Sequence, residues 1–64
     1  MPIVNITLIQ GRSPEKKAAL MKSVTEAVVA SIGAPAESVR VIINEVPPEH
    51  FAVAGVAKSA PSGS

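Results

Sequence analysis

Two short apolar segments separated by a long helical pattern constrain this chain more than any other feature. Residues 3–9 and 39–46 alternate apolar with mixed positions, which is typical of strands. Between them, residues 14–32 repeat apolar side chains at three- and four-residue steps, which predicts an amphipathic helix. A crossover of this length joins parallel strands, so the pattern predicts an α/β fold, a small βαβ unit with a right-handed crossover.

Local signals predict where the helix begins and ends. Ser13 is a good N-cap, and Pro14 suits the first helical position. Gly33 suits the residue after the helix, and Pro35 prevents its continuation. The side chains predicted to face the sheet are Leu20, Val24, Ala27, Val28 and Ser31.

The rest of the chain predicts one more small element and a tail. Pro47 and Pro48 end the second strand, and the apolar segment 51–56 around Gly55 predicts a short hairpin. Residues 57–64 predict a flexible tail. At 64 residues the chain is expected to be a single domain, 1–64.

One helix covers only one face of a two-stranded sheet. The other face still carries Ile3, Ile9, Ile42 and Val46. Hydrophobic residues make up 47% of a chain too short to bury a large core, so another source of stability is needed. We therefore expect a homo-oligomer, in which a copy of the chain covers the second face.

Composition excludes several classes of function. The chain has no cysteine and one histidine, which excludes a disulfide and argues against a metal site. A net charge of +1 without a basic cluster argues against nucleic-acid binding, and no apolar run is long enough for a membrane span. The N-terminus has no secretory pattern, so a soluble cytoplasmic protein without a cofactor is expected.

Pro2 is the first candidate for chemistry. Loss of Met1 would leave it with a free secondary amine, and a free α-amino group titrates near ~8, which makes it a usable base. The alternative is that Pro2 simply begins a strand, where its missing N–H costs little.

Arg12 and Arg40 are the next candidates, because a guanidinium fork fits a carboxylate. They lie at opposite ends of the predicted sheet, so neighbouring subunits would have to share a site. Two guanidinium groups near an amine would also lower its pKa. Alternatively, both arginines are solvated or ion-paired, Arg12 with Glu15 or Glu45.

The sequence resembles the 4-oxalocrotonate tautomerase family, the small 2-hydroxymuconate tautomerases. The similarity runs without a gap from Pro2 to about Gly55, and Ala52 and Ala54 stand where glycines are common in the family. The segments that carry it are Pro2–Ile3, Gly11–Ser13, Ala34–Pro35, Ser38–Ile43 with Glu45, and His50–Phe51.

The resemblance implies a hexamer built as a trimer of dimers, an isomerase activity in aromatic catabolism and a small dicarboxylate or 2-oxo acid substrate. Pro2 matches the catalytic base, Arg40 the arginine that holds the 1-carboxylate and 2-oxygen, and Arg12 the arginine that binds the distal carboxylate. Phe51 matches the hydrophobic wall of the substrate site. Ile9 and Ser38 match positions near the pocket.

Two other functions stay open. Relatives that hydrate or dehalogenate 3-haloacrylates resemble the same scaffold, with a protonated Pro2 acting as an acid. A retained Met1 would instead make the nitrogen of Pro2 an amide and leave a non-catalytic oligomeric binding module.

Overall fold

The computed structural model describes residues 1–58, which form a βαβ unit followed by a hairpin. The elements are β1 Ile3–Ile9, α1 Pro14–Ile32, a 3₁₀ turn Ala36–Ser38, β2 Arg40–Val46, a second 3₁₀ turn Pro48–His50, β3 Ala52–Val53 and β4 Val56–Ala57. Strands β1 and β2, which the helix connects, pair in parallel, and β3 and β4 pair antiparallel, which confirms the predicted fold class.

Helix α1 begins and ends where the capping signals predict. The Ser13 hydroxyl oxygen accepts a 3.2 Å hydrogen bond from the Lys16 amide. Gly33 adopts a left-handed φ of 73°, and its N–H donates to the Val29 carbonyl at 3.0 Å. Within residues 1–58, no helix is long and apolar enough to cross a membrane.

The second strand begins at Arg40, one residue later than predicted. The Val39 N–H donates to the Ala36 carbonyl at 3.1 Å, so Val39 closes the first 3₁₀ turn instead of joining the ladder. The apolar character of Val39 suits either position, which is why the sequence pattern placed it in the strand.

The register of the parallel pair decides which side chains share a face. Ile3 lies opposite Arg40 and Ile9 opposite Val46. The face toward α1 is lined by half-buried Val4, Ile6, Leu8, Val41 and Ile43. At its far end, Lys17 on α1 donates to Glu45 on β2 at 2.9 Å, which ties the helix to the sheet.

Three of the five helix residues predicted to face the sheet are half-buried, namely Leu20, Val24 and Val28. Ala27 and Ser31 are exposed, contrary to the prediction. Both line a groove beside the free edge of β1, because a sheet of two strands is too narrow to cover the whole apolar side of the helix.

The opposite face of the sheet has no cover within one chain. Ile3 is 56% exposed and Ile42 45% exposed, and among residues 1–58 no side chain is fully buried. A chain with a large apolar fraction and no completed core is expected to bury this face against other chains.

The hairpin is present and carries an unusual turn. Val53 pairs with Val56 across Ala54 and Gly55, whose φ values of 54° and 82° match a type I′ turn. Ala57, placed in the tail by the sequence pattern, pairs with Ala52 in the ladder. Residues 59–64 of that tail lie outside the described residues.

Ala54→Asn should stabilise the protein, because a left-handed backbone strains alanine and suits asparagine. We expect a gain of about 0.5–1 kcal/mol per chain, measured by thermal unfolding at one fixed protein concentration. Ala52→Asn, in extended β3, is the matched control and should give no gain. Equal effects of the two substitutions would contradict the turn assignment.

Candidate active site

Pro2 lies at the edge of the sheet where both strands begin. It is half-buried, and its carbonyl accepts a 2.9 Å hydrogen bond from the Arg40 N–H. Met1 is 78% exposed and precedes the first strand, which begins at Ile3. The position of Pro2 is thus held by the ladder through its carbonyl, while its nitrogen lies at the margin of the protein.

Beside Pro2 is an apolar groove of about 370 Å³. It runs between the free edge of β1 and the C-terminal half of α1, since alternation along the strand turns Pro2 and Val4 toward the helix. A free amine on Pro2 would have apolar side chains beside it, and apolar surroundings disfavour the charged form of an amine. The groove is lined by Pro2, Val4, Val24, Ala27, Val28, Ser31 and Ile32.

The backbone of Arg40 lies next to that of Pro2, but the two side chains leave the sheet on different faces. Alternation places the Arg40 side chain on the open face of the sheet, with Ile3 and Ile42, whereas Pro2 faces the helix. Arg40 Nη1 donates to the Glu37 carbonyl at 2.7 Å. Within one chain, Arg40 and Pro2 therefore extend their side chains from opposite faces of the sheet.

Arg12 lies at the other end of the sheet. It follows Gly11, which turns the chain with a φ of 133°, and it precedes the helix cap. Six residue steps of β1 separate the two edges, a distance of ~20 Å at ~3.3 Å per residue. Within residues 1–58, Arg12 forms an ion pair with neither Glu15 nor Glu45, and Glu45 is instead bonded to Lys17.

Phe51 and Ile9 belong to the same far edge as Arg12. Phe51 follows β2 through the second 3₁₀ turn, and its N–H donates to the Pro48 carbonyl at 3.1 Å. Its own carbonyl accepts from the Lys58 N–H at 2.7 Å, so the base of the hairpin holds it in place. Ile9 is half-buried and paired with Val46 at the end of the sheet.

Ser38 lies near Pro2, in the first 3₁₀ turn. Its hydroxyl donates to the Pro35 carbonyl at 2.8 Å, and its backbone N–H donates to the same oxygen at 2.9 Å. The sequence did not indicate this turn or the Glu37 carbonyl that accepts from Arg40. Pro35, with its restricted φ, was the available signal for the turn, whereas no residue type identifies a carbonyl acceptor.

The six predicted site residues therefore form two groups in one chain. Pro2, Ser38 and Arg40 lie at the edge where the strands begin, and Ile9, Arg12 and Phe51 lie where they end. A small dianion cannot contact both groups across ~20 Å. A site that uses all six side chains needs more than one copy of the chain.

Comparison with known proteins gives a consistent result. A family model described as tautomerase enzyme matches residues 2–60. A probable tautomerase of Ralstonia nicotianae is 63% identical over 60 residues, which cover 94% of this chain and 86% of that protein. The 2-hydroxymuconate tautomerase of Comamonas testosteroni is 46% identical over 56 residues, which cover 88% and 89%.

A solved structure has the same fold over nearly its full length. The heterohexamer 4-oxalocrotonate tautomerase from Chloroflexus aurantiacus superposes with a TM-score of 0.91 at 39% identity, covering 95% of this chain and 98% of that one. The sequence matches and this superposition cover the same βαβ unit and hairpin. The chain belongs to the tautomerase family, whose members are isomerase-type enzymes.

Proposed function

We propose that this protein is a 4-oxalocrotonate tautomerase-type isomerase. It converts a dienol such as 2-hydroxymuconate to the conjugated ketone, with the amine of Pro2 as the base. The observation that supports this most directly is the placement of Pro2 at the margin of an apolar groove, beside an exposed Met1. The 46% identity to a 2-hydroxymuconate tautomerase supports the substrate class.

In this mechanism the neutral amine of Pro2 removes the proton from the 2-hydroxyl group. The electrons of the broken O–H bond form the carbonyl, the double bonds shift along the diene, and the protonated amine returns the proton to carbon. Arg40 binds the 1-carboxylate and the 2-oxygen and stabilises the negative charge that develops there. Arg12 binds the distal carboxylate, Phe51 forms the apolar wall, and Ile9 and Ser38 border the pocket.

The geometry of one chain supports a shared site. The Arg40 side chain leaves the strand on the face opposite its own Pro2, and Arg12 lies ~20 Å along the sheet, so neighbouring chains would supply these groups. The open sheet face and Val53 and Val56 of the hairpin, 65% and 62% exposed, offer the surface for such contacts. We propose a hexamer of identical chains, a trimer of dimers, in the cytoplasm and in aromatic catabolism.

Pro2→Ala should lower kcat/KM for 2-hydroxymuconate by about 10²-fold, the lower end of the range for a lost general base, because a primary α-amine remains. Pro14→Ala, at the first position of α1, is the matched control and should keep full activity. The intact mass of the native protein should show that Met1 is absent. Equal rates for wild type and Pro2→Ala, or a fully retained Met1, would refute the role of Pro2 as the base.

The pH dependence should show which protonation state of Pro2 is active. A protonated amine has no lone pair to accept a proton, so kcat/KM should be constant at neutral pH and fall as the pH drops through the pKa of the amine. Two nearby guanidinium groups should set this midpoint below the ordinary value of ~8. Activity that increases on acidification would instead support the acid role required for 3-haloacrylates.

Hybrid oligomers should show whether chains share the site. Pro2→Ala and Arg40→Ala chains are each expected to be nearly inactive alone. In a randomly mixed 1:1 oligomer, roughly a quarter of the sites would combine an intact Pro2 with an intact Arg40 from another chain and regain activity. Mixing is verified by native mass spectrometry, and verified hybrids without recovered activity would contradict a shared site.

A further inference from the structure

The short turn Ala36–Ser38 connects the end of α1 to Arg40. Within this turn, the Glu37 carbonyl accepts a hydrogen bond from Nη1 of Arg40 at 2.7 Å. Two residues beyond the turn, the Arg40 N–H bonds to the Pro2 carbonyl at 2.9 Å. The turn therefore bonds to the side chain of Arg40, while the strand ladder holds the backbone of Arg40.

The bond to Glu37 limits the rotamers of an exposed arginine. A free arginine side chain samples many conformations and loses this freedom when it binds a ligand. A guanidinium group has five N–H donors in a planar fork, and the Glu37 carbonyl uses only one of them. The other donors remain available for a carboxylate in an orientation that exists before the substrate arrives.

Ser38 closes the turn that carries this carbonyl. Pro35 begins the turn with a φ of −64°, and its carbonyl accepts from both the amide and the hydroxyl of Ser38, at 2.9 and 2.8 Å. The hydroxyl has a single proton, and that proton is used within the turn. Loss of the hydroxyl would leave one bond where there are now two, and would loosen the Glu37 peptide between Pro35 and Ser38.

We propose that Ser38 is a positioning residue that acts on the substrate through Arg40. It holds the 35–38 turn closed, the turn holds the Glu37 carbonyl, and the carbonyl orients the Arg40 guanidinium for a carboxylate. This proposal rests on the proposed function, because it assumes that Arg40 binds substrate. It gives Ser38 a different role from a direct pocket contact.

The test is a double-mutant cycle on the intact oligomer with 2-hydroxymuconate. Ser38→Ala should lower kcat/KM about threefold to tenfold, the effect of one lost hydrogen bond, and Ser38→Thr should restore it. In the Arg40→Ala background, Ser38→Ala should change kcat/KM by less than about twofold. Thr25→Val is the matched control, because it removes a 2.8 Å hydroxyl-to-carbonyl bond inside α1 and should leave activity unchanged.

A second measurement reads the orientation of Arg40 without activity. The two Nη nitrogens of a held guanidinium group give separate NMR signals, and these should merge in Ser38→Ala but not in Ser38→Thr or Thr25→Val. Unchanged Arg40 signals in Ser38→Ala would overturn the positioning role, as would an equal activity loss in both backgrounds. Full activity of Arg40→Ala would instead refute the role of Arg40 in the proposed function. The NMR signals would still report, independently of activity, whether Ser38 holds the guanidinium group.

Discussion

The parallel ladder between β1 and β2 is the constraint on which the rest of the molecule depends. Its register sets Ile3 against Arg40, and the hydrogen bond from the Arg40 amide to the Pro2 carbonyl continues it to the second residue of the chain. N-terminal residues are commonly frayed unless a sheet holds them. Here the ladder holds Pro2 at a defined place, which a base with precise geometry requires.

The same ladder separates the candidate site residues. Parallel strands begin at one edge and end at the other, so Arg40 lies beside Pro2 while Arg12 follows the opposite edge. Strand alternation then turns Pro2 toward the helix and Arg40 toward the open face. A one-helix βαβ unit leaves the core incomplete among residues 1–58. Under the proposed function it leaves the substrate site incomplete as well, and association of chains would complete both.

Several features of the fold could be predicted from residues alone. Ser13, Pro14 and Gly33 marked the helix ends because capping depends on local backbone groups. The start of β2 was misplaced because Val39 suits a strand and a turn end equally well, and only the bond to Ala36 decides. Ala27 and Ser31 were predicted to face the sheet because periodicity describes the helix and not the width of the sheet.

The sequence by itself determined the strand–helix–strand order, the uncovered sheet face and the residue types able to act as base and anion clamps. These follow from periodicity, side-chain chemistry and chain length, which are local or compositional properties. Only the tertiary structure decided that the Arg40 side chain leaves the sheet on the face opposite its own Pro2, and that the Ser38 hydroxyl donates to the Pro35 carbonyl. Both depend on strand register and on carbonyl positions, which arise when distant segments pair and which no single residue type encodes.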